Sequence, residues 1–174
     1  HTGGLFRSNE EAKEWAAQVD QKYVNDRIYS RNGELRGLRG GDLKYLDLND
    51  NGKIDIGKNT VDDPGDRRII GNSEPRYIYS FTLSADWNNF YASIFFQGVG
   101  QRDLFTEGDS GMIWGQYNRA YNQIPEWIIG NYWTEDNKDA YLPRYAGYYA
   151  PFYKGSNNMN SRYLMDVSYI RLQN

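Results

Sequence analysis

The stretch Asp47–Asp55, DLNDNGKID, sets oxygen-bearing side chains at alternate positions ahead of a glycine. Calcium takes six to eight hard oxygen ligands at about 2.3–2.6 Å, and a loop supplying them at alternate positions before a sharp glycine turn gathers them efficiently. Asp47, Asn49 and Asn51 occupy the first, third and fifth positions of such a loop, and Gly52 permits the turn. Lys53 offers its main-chain carbonyl at the seventh, Ile54 is placed to pack inward, and Asp55 stands at the ninth. The twelfth position calls for a bidentate acid and holds Lys58 instead. A closing carboxylate must therefore come from further along, where Asp62, Asp63 and Asp66 follow. With so few anions the expectation is a weak, structural Ca2+ site; the alternative is an Asx-rich turn held by its own hydrogen bonds.

Other reactive chemistry is scarce. Cysteine is absent and His1 is the single histidine, so thiolate sites, multi-histidine zinc sites and histidine-dependent triads lack their residues. Glu107 and Asp109 are the pair a glycoside hydrolase would use, but they sit together on one Gly-rich stretch with nothing to hold them across a substrate. No enzyme is expected. The net charge is −3 and no Lys/Arg block tracks phosphates, which excludes nucleic acid as an expected partner.

Aromatic content sets the chain apart. Mean hydropathy is −0.85, yet 16% of residues are aromatic, with 16 Tyr and 5 Trp. Disordered chains are poor in aromatics, so this surface is expected to meet carbohydrate, a membrane interface or a partner protein. Trp114, Tyr117, Trp127 and Trp133 are the candidates for stacking on a ligand, against the competing role of packing the loops that carry them.

The elements that would position these residues are uneven. Ser8 with Glu11 reads as a capping box, and Ala12, Trp15, Ala16, Val19 and Tyr23 follow at helical spacing, predicting one short N-terminal helix. Residues 25–75 are dense in Gly, Asp, Asn and Arg and predict loop, with short extended pieces at Leu43–Leu46 and Arg68–Ile70. The pattern then changes abruptly. From Tyr77 to Trp87 every odd position is apolar or aromatic, and most even ones are small and polar. After Asn88-Asn89 the alternation resumes through Phe90, Ala92, Ile94, Phe96 and Gly98. This is a long two-residue-period hairpin. Soluble strands average about 5–6 residues whereas membrane-barrel strands need about 9–11; the first arm has the longer length. No apolar run approaches the roughly 20 residues of a membrane helix. Beyond Val99 the chain is again loop-like, with a short helix predicted behind Pro125, and "RYLMDVSYIRLQN" opens another extended segment.

Four segments follow: 1–75, the helix and a loop with the calcium-like motif; 76–98, the hairpin; 99–161, an aromatic-rich loop; and 162–174, the start of a next strand. A soluble, calcium-stabilised carbohydrate-binding β-domain is the alternative organisation. It accounts for the aromatics and the calcium-like loop but not for the long hairpin with its uncharged central face.

Several phrases in order carry a resemblance. "GDLKYLDLNDNGKIDIG", "DDPGDRRIIGNSEPRYIYSFTLSADWNNFYASIFFQGVGQRD", "WTEDNKDAYLPR" and "SRYLMDVSYIRLQN" resemble the C-terminal part of SusC/RagA-type TonB-dependent outer-membrane transporters across most of residues 41–174. The resemblance implies a mainly β chain, a fragment of a roughly 22-stranded transmembrane β-barrel. Residues 76–98 would be a membrane hairpin with a periplasmic turn at Asn88-Asn89, and 25–75 and 99–161 extracellular loops. It further implies import of oligosaccharide or peptide, a SusD-type surface lipoprotein as partner, and coupling to TonB through an N-terminal part that these residues lack, so that the segment alone cannot transport. The family pattern has Asp where Asn51 stands, and a late acid matching Asp66, which that match favours as the missing calcium ligand. Outside a larger assembly, the apolar face from Tyr77 to Phe96 is expected to be covered by the loops or by a second copy.

Overall fold

The computed structural model describes residues 1–21, 38–106, 113–118, 123–145 and 159–173. By their contacts these fall into two units: His1–Ile69 with Thr106–Arg162, and Ile70–Phe105 with Tyr163–Asn174. The two segments read as separate loops thus share one unit.

The first unit opens with strand β1, Thr2–Leu5, and helix α1, Asn9–Gln18. Ser8 caps the helix from extended backbone, its Oγ accepting the Glu11 N–H at 3.1 Å. Glu11 reaches back as expected, but to the Arg7 N–H at 2.7 Å, one residue before the cap. The helix is shorter than its apolar spacing predicts. Val19 is extended, Asp20 bridges to Lys53, and the Gln21 side chain turns to strand β2, Leu43–Tyr45. Gln21 is buried; its amide donates to the Leu43 carbonyl at 2.9 Å and accepts from the Tyr45 N–H at 3.2 Å and from Trp15 Nε1 at 3.3 Å. A side chain here does the work of a neighbouring strand on one edge of β2, which pairs with β1 on the other. Tyr23, and with it the predicted end of the helix, lies outside the described residues.

Acidification tests the helix start. Burial raises the Glu11 carboxyl, but the Arg7 amide and the Lys44 ammonium, 3.2 Å away, more than offset this and hold it below the ordinary carboxylate range. A lowered carboxyl contributes stability above its unfolded pKa and loses it as pH falls through the folded one. The first unit is therefore expected to weaken as pH drops below about 4, and Glu11→Gln to flatten that part of the pH–stability profile; an unchanged profile would refute the role.

The second unit is built on strands β3, Tyr77–Trp87, and β4, Phe90–Gly100, paired antiparallel over their whole length. They join through Asn88 and Asn89, both at positive φ (46° and 69°), the two-residue turn whose twist matches that of the arms. The predicted hairpin therefore extends two residues further, to Gly100. Two three-residue strands, β5 (Asp103–Phe105) in the stretch read as loop and β6 (Leu164–Asp166) in the segment read as extended, pair with each other. Strand β7, Tyr169–Gln173, adds to β4 along Phe95–Val99. No strand forms at Arg68–Ile70, where an extended piece was expected.

The register sorts side chains cleanly. Rows Tyr79–Gly98–Ile170 and Phe81–Phe96–Leu172 lie on one face, and Ser80–Gln97–Arg171 and Thr82–Phe95–Gln173 on the other. Phe81 and Phe96 stack at 4.8 Å between centroids. Tyr79 lies over Gly98, where an added Cβ would meet its ring at 2.3 Å, so only glycine fits beneath it. The apolar face remains exposed: Leu83 at 58% and Trp87 at 77%.

Candidate functional site

The calcium-like loop is a closed, hydrogen-bonded turn. Asp47 Oδ2 accepts the Gly52 N–H at 2.7 Å and its Oδ1 the Asn51 N–H at 3.3 Å. Asn49 Oδ1 accepts the same Asn51 N–H at 3.2 Å, and Asn51 Oδ1 accepts the Lys53 N–H at 2.8 Å. Asp55 Oδ1 accepts the Gly57 N–H at 2.8 Å. Asp50 and Gly52 take positive φ, giving the sharp bend the pattern demands. Behind the bend Ile54 is buried, and the loop is pinned to Asp20 by the Asp20 N–H to the Gly52 carbonyl (2.9 Å) and the Ile54 N–H to the Asp20 carbonyl (2.8 Å).

Asp66 arrives from the far side of the loop, as its candidacy requires, but buried and turned to the main chain. Its Oδ1 accepts the Leu48 N–H at 2.7 Å and its Oδ2 the Asp55 N–H at 2.8 Å, while its own N–H donates to the Asp55 carbonyl at 3.0 Å. It is a clasp across the loop's two ends, a role the sequence reading did not contain. Each carboxylate oxygen retains a second lone pair, so the oxygens of Asp47, Asn49, Asn51 and Asp55 on this one bend suit a hard cation. Among the described residues, no group of three or more His, Cys, Asp and Glu side chains is gathered as ligands.

The aromatic candidates separate by burial. Trp114 and Tyr117 are wholly buried. Trp114 Nε1 donates to the Thr106 carbonyl at 2.8 Å, Tyr117 Oη donates to the Pro143 carbonyl at 2.9 Å, and Tyr117 packs edge-on against both Trp114 and Tyr145. Trp133 is 9% exposed and lies against Gly40 and Gly41; a Cβ on Gly41 would meet its ring at 2.6 Å. These three side chains are core, which withdraws their faces from a ligand in this conformation. Trp127 alone of the four presents a face, 44% exposed on the single 3-10 turn Glu126–Ile128 that buried Ile128 anchors. Glu107 and Asp109 lie outside the described residues.

A second polar feature joins distant parts of the first unit. The Asp42 side chain, 4% exposed, accepts from Arg144 Nε at 2.6 Å with Oδ1, and from the Arg39 N–H at 3.0 Å with Oδ2. Burial pushes the Asp42 carboxyl up, and the Arg144 guanidinium pulls against that rise. The Arg144 N–H donates to the Gly41 carbonyl at 3.0 Å, so main chain and side chain fasten the same two segments.

Long antiparallel strands with one apolar and one polar face occur in the walls of membrane barrels and in soluble sheets packed on one side. The chain is 31% identical over 137 residues, 78% of its length, to TonB-dependent receptor P3 of Formosa agariphila, and spans 11% of that protein. A match of this extent supports the TonB-dependent receptor family for this stretch of chain. No family model and no solved structure matches it. No helix among the described residues is long and apolar enough to cross a membrane.

Proposed function

We propose that this chain is a wall segment, with its loops, of a SusC/RagA-type TonB-dependent importer in the outer membrane, taking up oligosaccharide or peptide beside a SusD-type surface lipoprotein. The observation that carries this reading is the row-by-row partition of β3, β4 and β7. Eleven residues of strand span about 36 Å at 3.3 Å each. Tilted by about 45°, they cover about 26 Å, the height of the apolar band of an outer-membrane barrel. In this reading the apolar rows face lipid, the polar rows face the interior, and Asn88-Asn89 is the periplasmic turn. The loops lie outside the cell, where Trp127 is free to stack on ligand. TonB acts through a part of the protein outside this chain. The segment forms a wall and loops and performs no catalysis.

Cysteine labelling in whole cells tests the topology; this stretch has no cysteine of its own, and any elsewhere in the receptor are first replaced by serine. In the full-length receptor, Val61→Cys is expected to react with a membrane-impermeant maleimide on intact cells. Trp87→Cys, next to the turn, should react only after permeabilisation. The reverse pattern, or equal labelling of both, would overturn the assignment.

Calcium belongs to the same proposal, held by Asp47, Asn49, Asn51, Asp55 and the Lys53 carbonyl, with Asp66 fixing the loop's ends. A low-charge site of this kind has a dissociation constant of about 10⁻⁴–10⁻³ M. At 10 mM Ca2+ such a site would add about 1.4–2.7 kcal/mol of stability. The thermal midpoint should rise accordingly, and Asp47→Ala should abolish the rise. No shift in the native protein at millimolar Ca2+ would remove the ion from the proposal.

A further inference from the structure

The polar face of the three-stranded sheet carries one cation held in an unusual way. Arg171 stands opposite Gln97 in the β4–β7 register, and its Nη2 donates to Gln97 Oε1 at 3.2 Å. Gln173, two residues on and on the same face, accepts from Arg171 Nε at 3.0 Å and Nη2 at 2.8 Å when its amide oxygen is turned toward the guanidinium. The ring of Tyr169 lies 5.4 Å from the guanidinium carbon. Two neutral amides and an aromatic ring thus fix the orientation of the guanidinium without cancelling its charge. Arg171 makes no ion pair among the described residues. The one carboxylate on this face of the three strands is Asp86. It lies six residues beyond Ser80 of the Arg171 row, about 20 Å along the strand and past the screening length of about 8 Å.

We propose that Arg171, oriented by Gln97 and Gln173, is a recognition site for an oxyanion on the ligand: a carboxylate, sulfate ester or phosphate ester. A guanidinium is a permanent cation whose N–H groups make charge-assisted hydrogen bonds to such groups, and pre-orientation reduces the entropy lost on binding. The amides take the Nε hydrogen and both Nη2 hydrogens and leave the two Nη1 N–H groups to the incoming anion. That the anion belongs to imported cargo rests on the transport reading, which places this face toward the interior; the oxyanion site itself rests only on the sheet.

Phenylglyoxal, which modifies free guanidinium groups, tests this in the full-length receptor, with peptide mapping to read each arginine separately. Arg171 is expected to react when no anion is added. Millimolar sodium sulfate, inorganic phosphate or sodium glucuronate should slow that reaction about tenfold relative to exposed Arg67 in the same digest, as a charge-assisted contact would. Glucose should not protect. Stronger protection by glucuronate than by sulfate or phosphate would assign the site to carboxylates, and the reverse order to sulfate or phosphate esters. Gln97→Ala with Gln173→Ala should weaken the protection while leaving Arg171 in place. Two results would overturn the proposal: an Arg171 unreactive without added anion, which would mean that a carboxylate elsewhere in the receptor already holds it, or equal protection by glucose and the anions. Protection in a receptor whose cysteine labelling shows the wrong topology would keep the site and discard its role in import.

Discussion

Arg144→Met is expected to destabilise the first unit by about 3–5 kcal/mol, the usual result of stripping one partner from a buried ion pair. The reason lies in Asp42. Its side chain is 4% exposed, and after the substitution one carboxylate oxygen would face the Arg39 N–H while the other lost its only short cationic contact. Burial already disfavours the charged carboxylate, and without the guanidinium nothing comparable opposes that. Pairing the change with Asp42→Asn removes the stranded charge, so the double variant should recover a large share of the loss. Hydrogen exchange at residues 38–45 and 131–145, measured beside a thermal melt, would show whether both segments loosen together. A single-variant loss below about 1 kcal/mol, the worth of an exposed pair, would mean that the contact is dispensable.

The second large effect concerns neighbouring residues on opposite faces. Thr82 and Leu83 are adjacent near the middle of β3; the register sets Thr82 opposite Phe95 and Leu83 opposite Ile94. If the apolar rows meet lipid, Leu83→Arg places a charge near the bilayer midplane at a cost of about 2–4 kcal/mol. Thr82→Arg projects into the interior and should cost far less. The folded fraction of full-length receptor in outer membranes should therefore fall sharply for Leu83→Arg and little for Thr82→Arg. Equal tolerance, or failure of Thr82→Arg alone, would show that the two faces do not divide lipid from interior. In a soluble sheet the comparison would instead track packing against a protein core.

What was legible in the sequence was local. The hairpin could be read because its signal repeats every two residues along both arms and its turn chemistry is confined to Asn88-Asn89. The helix start could be read because Ser8 and Glu11 act within one turn. The helix end could not, since Asp20 and Gln21 are taken by partners far along the chain: the loop at Gly52 and the strand at Leu43. The short strands β1, β5 and β6 carry too few residues for periodicity to show. Of the calcium-like loop, the bend at Gly52 and the inward Ile54 followed from the motif, whereas the orientation of Asp66 depends on main-chain groups up to 18 residues away. The aromatics show the same division. Composition marks Trp114, Tyr117 and Trp133 as important, but only tertiary packing distinguishes a buried indole from one offered to a ligand.

The Asn88-Asn89 turn bears on how the sheet assembles. It joins two arms that pair along their whole length, so every contact between them is local in sequence and this hairpin can close on the microsecond scale. Strands that arrive from further along the chain would then dock on a two-stranded unit that is already formed.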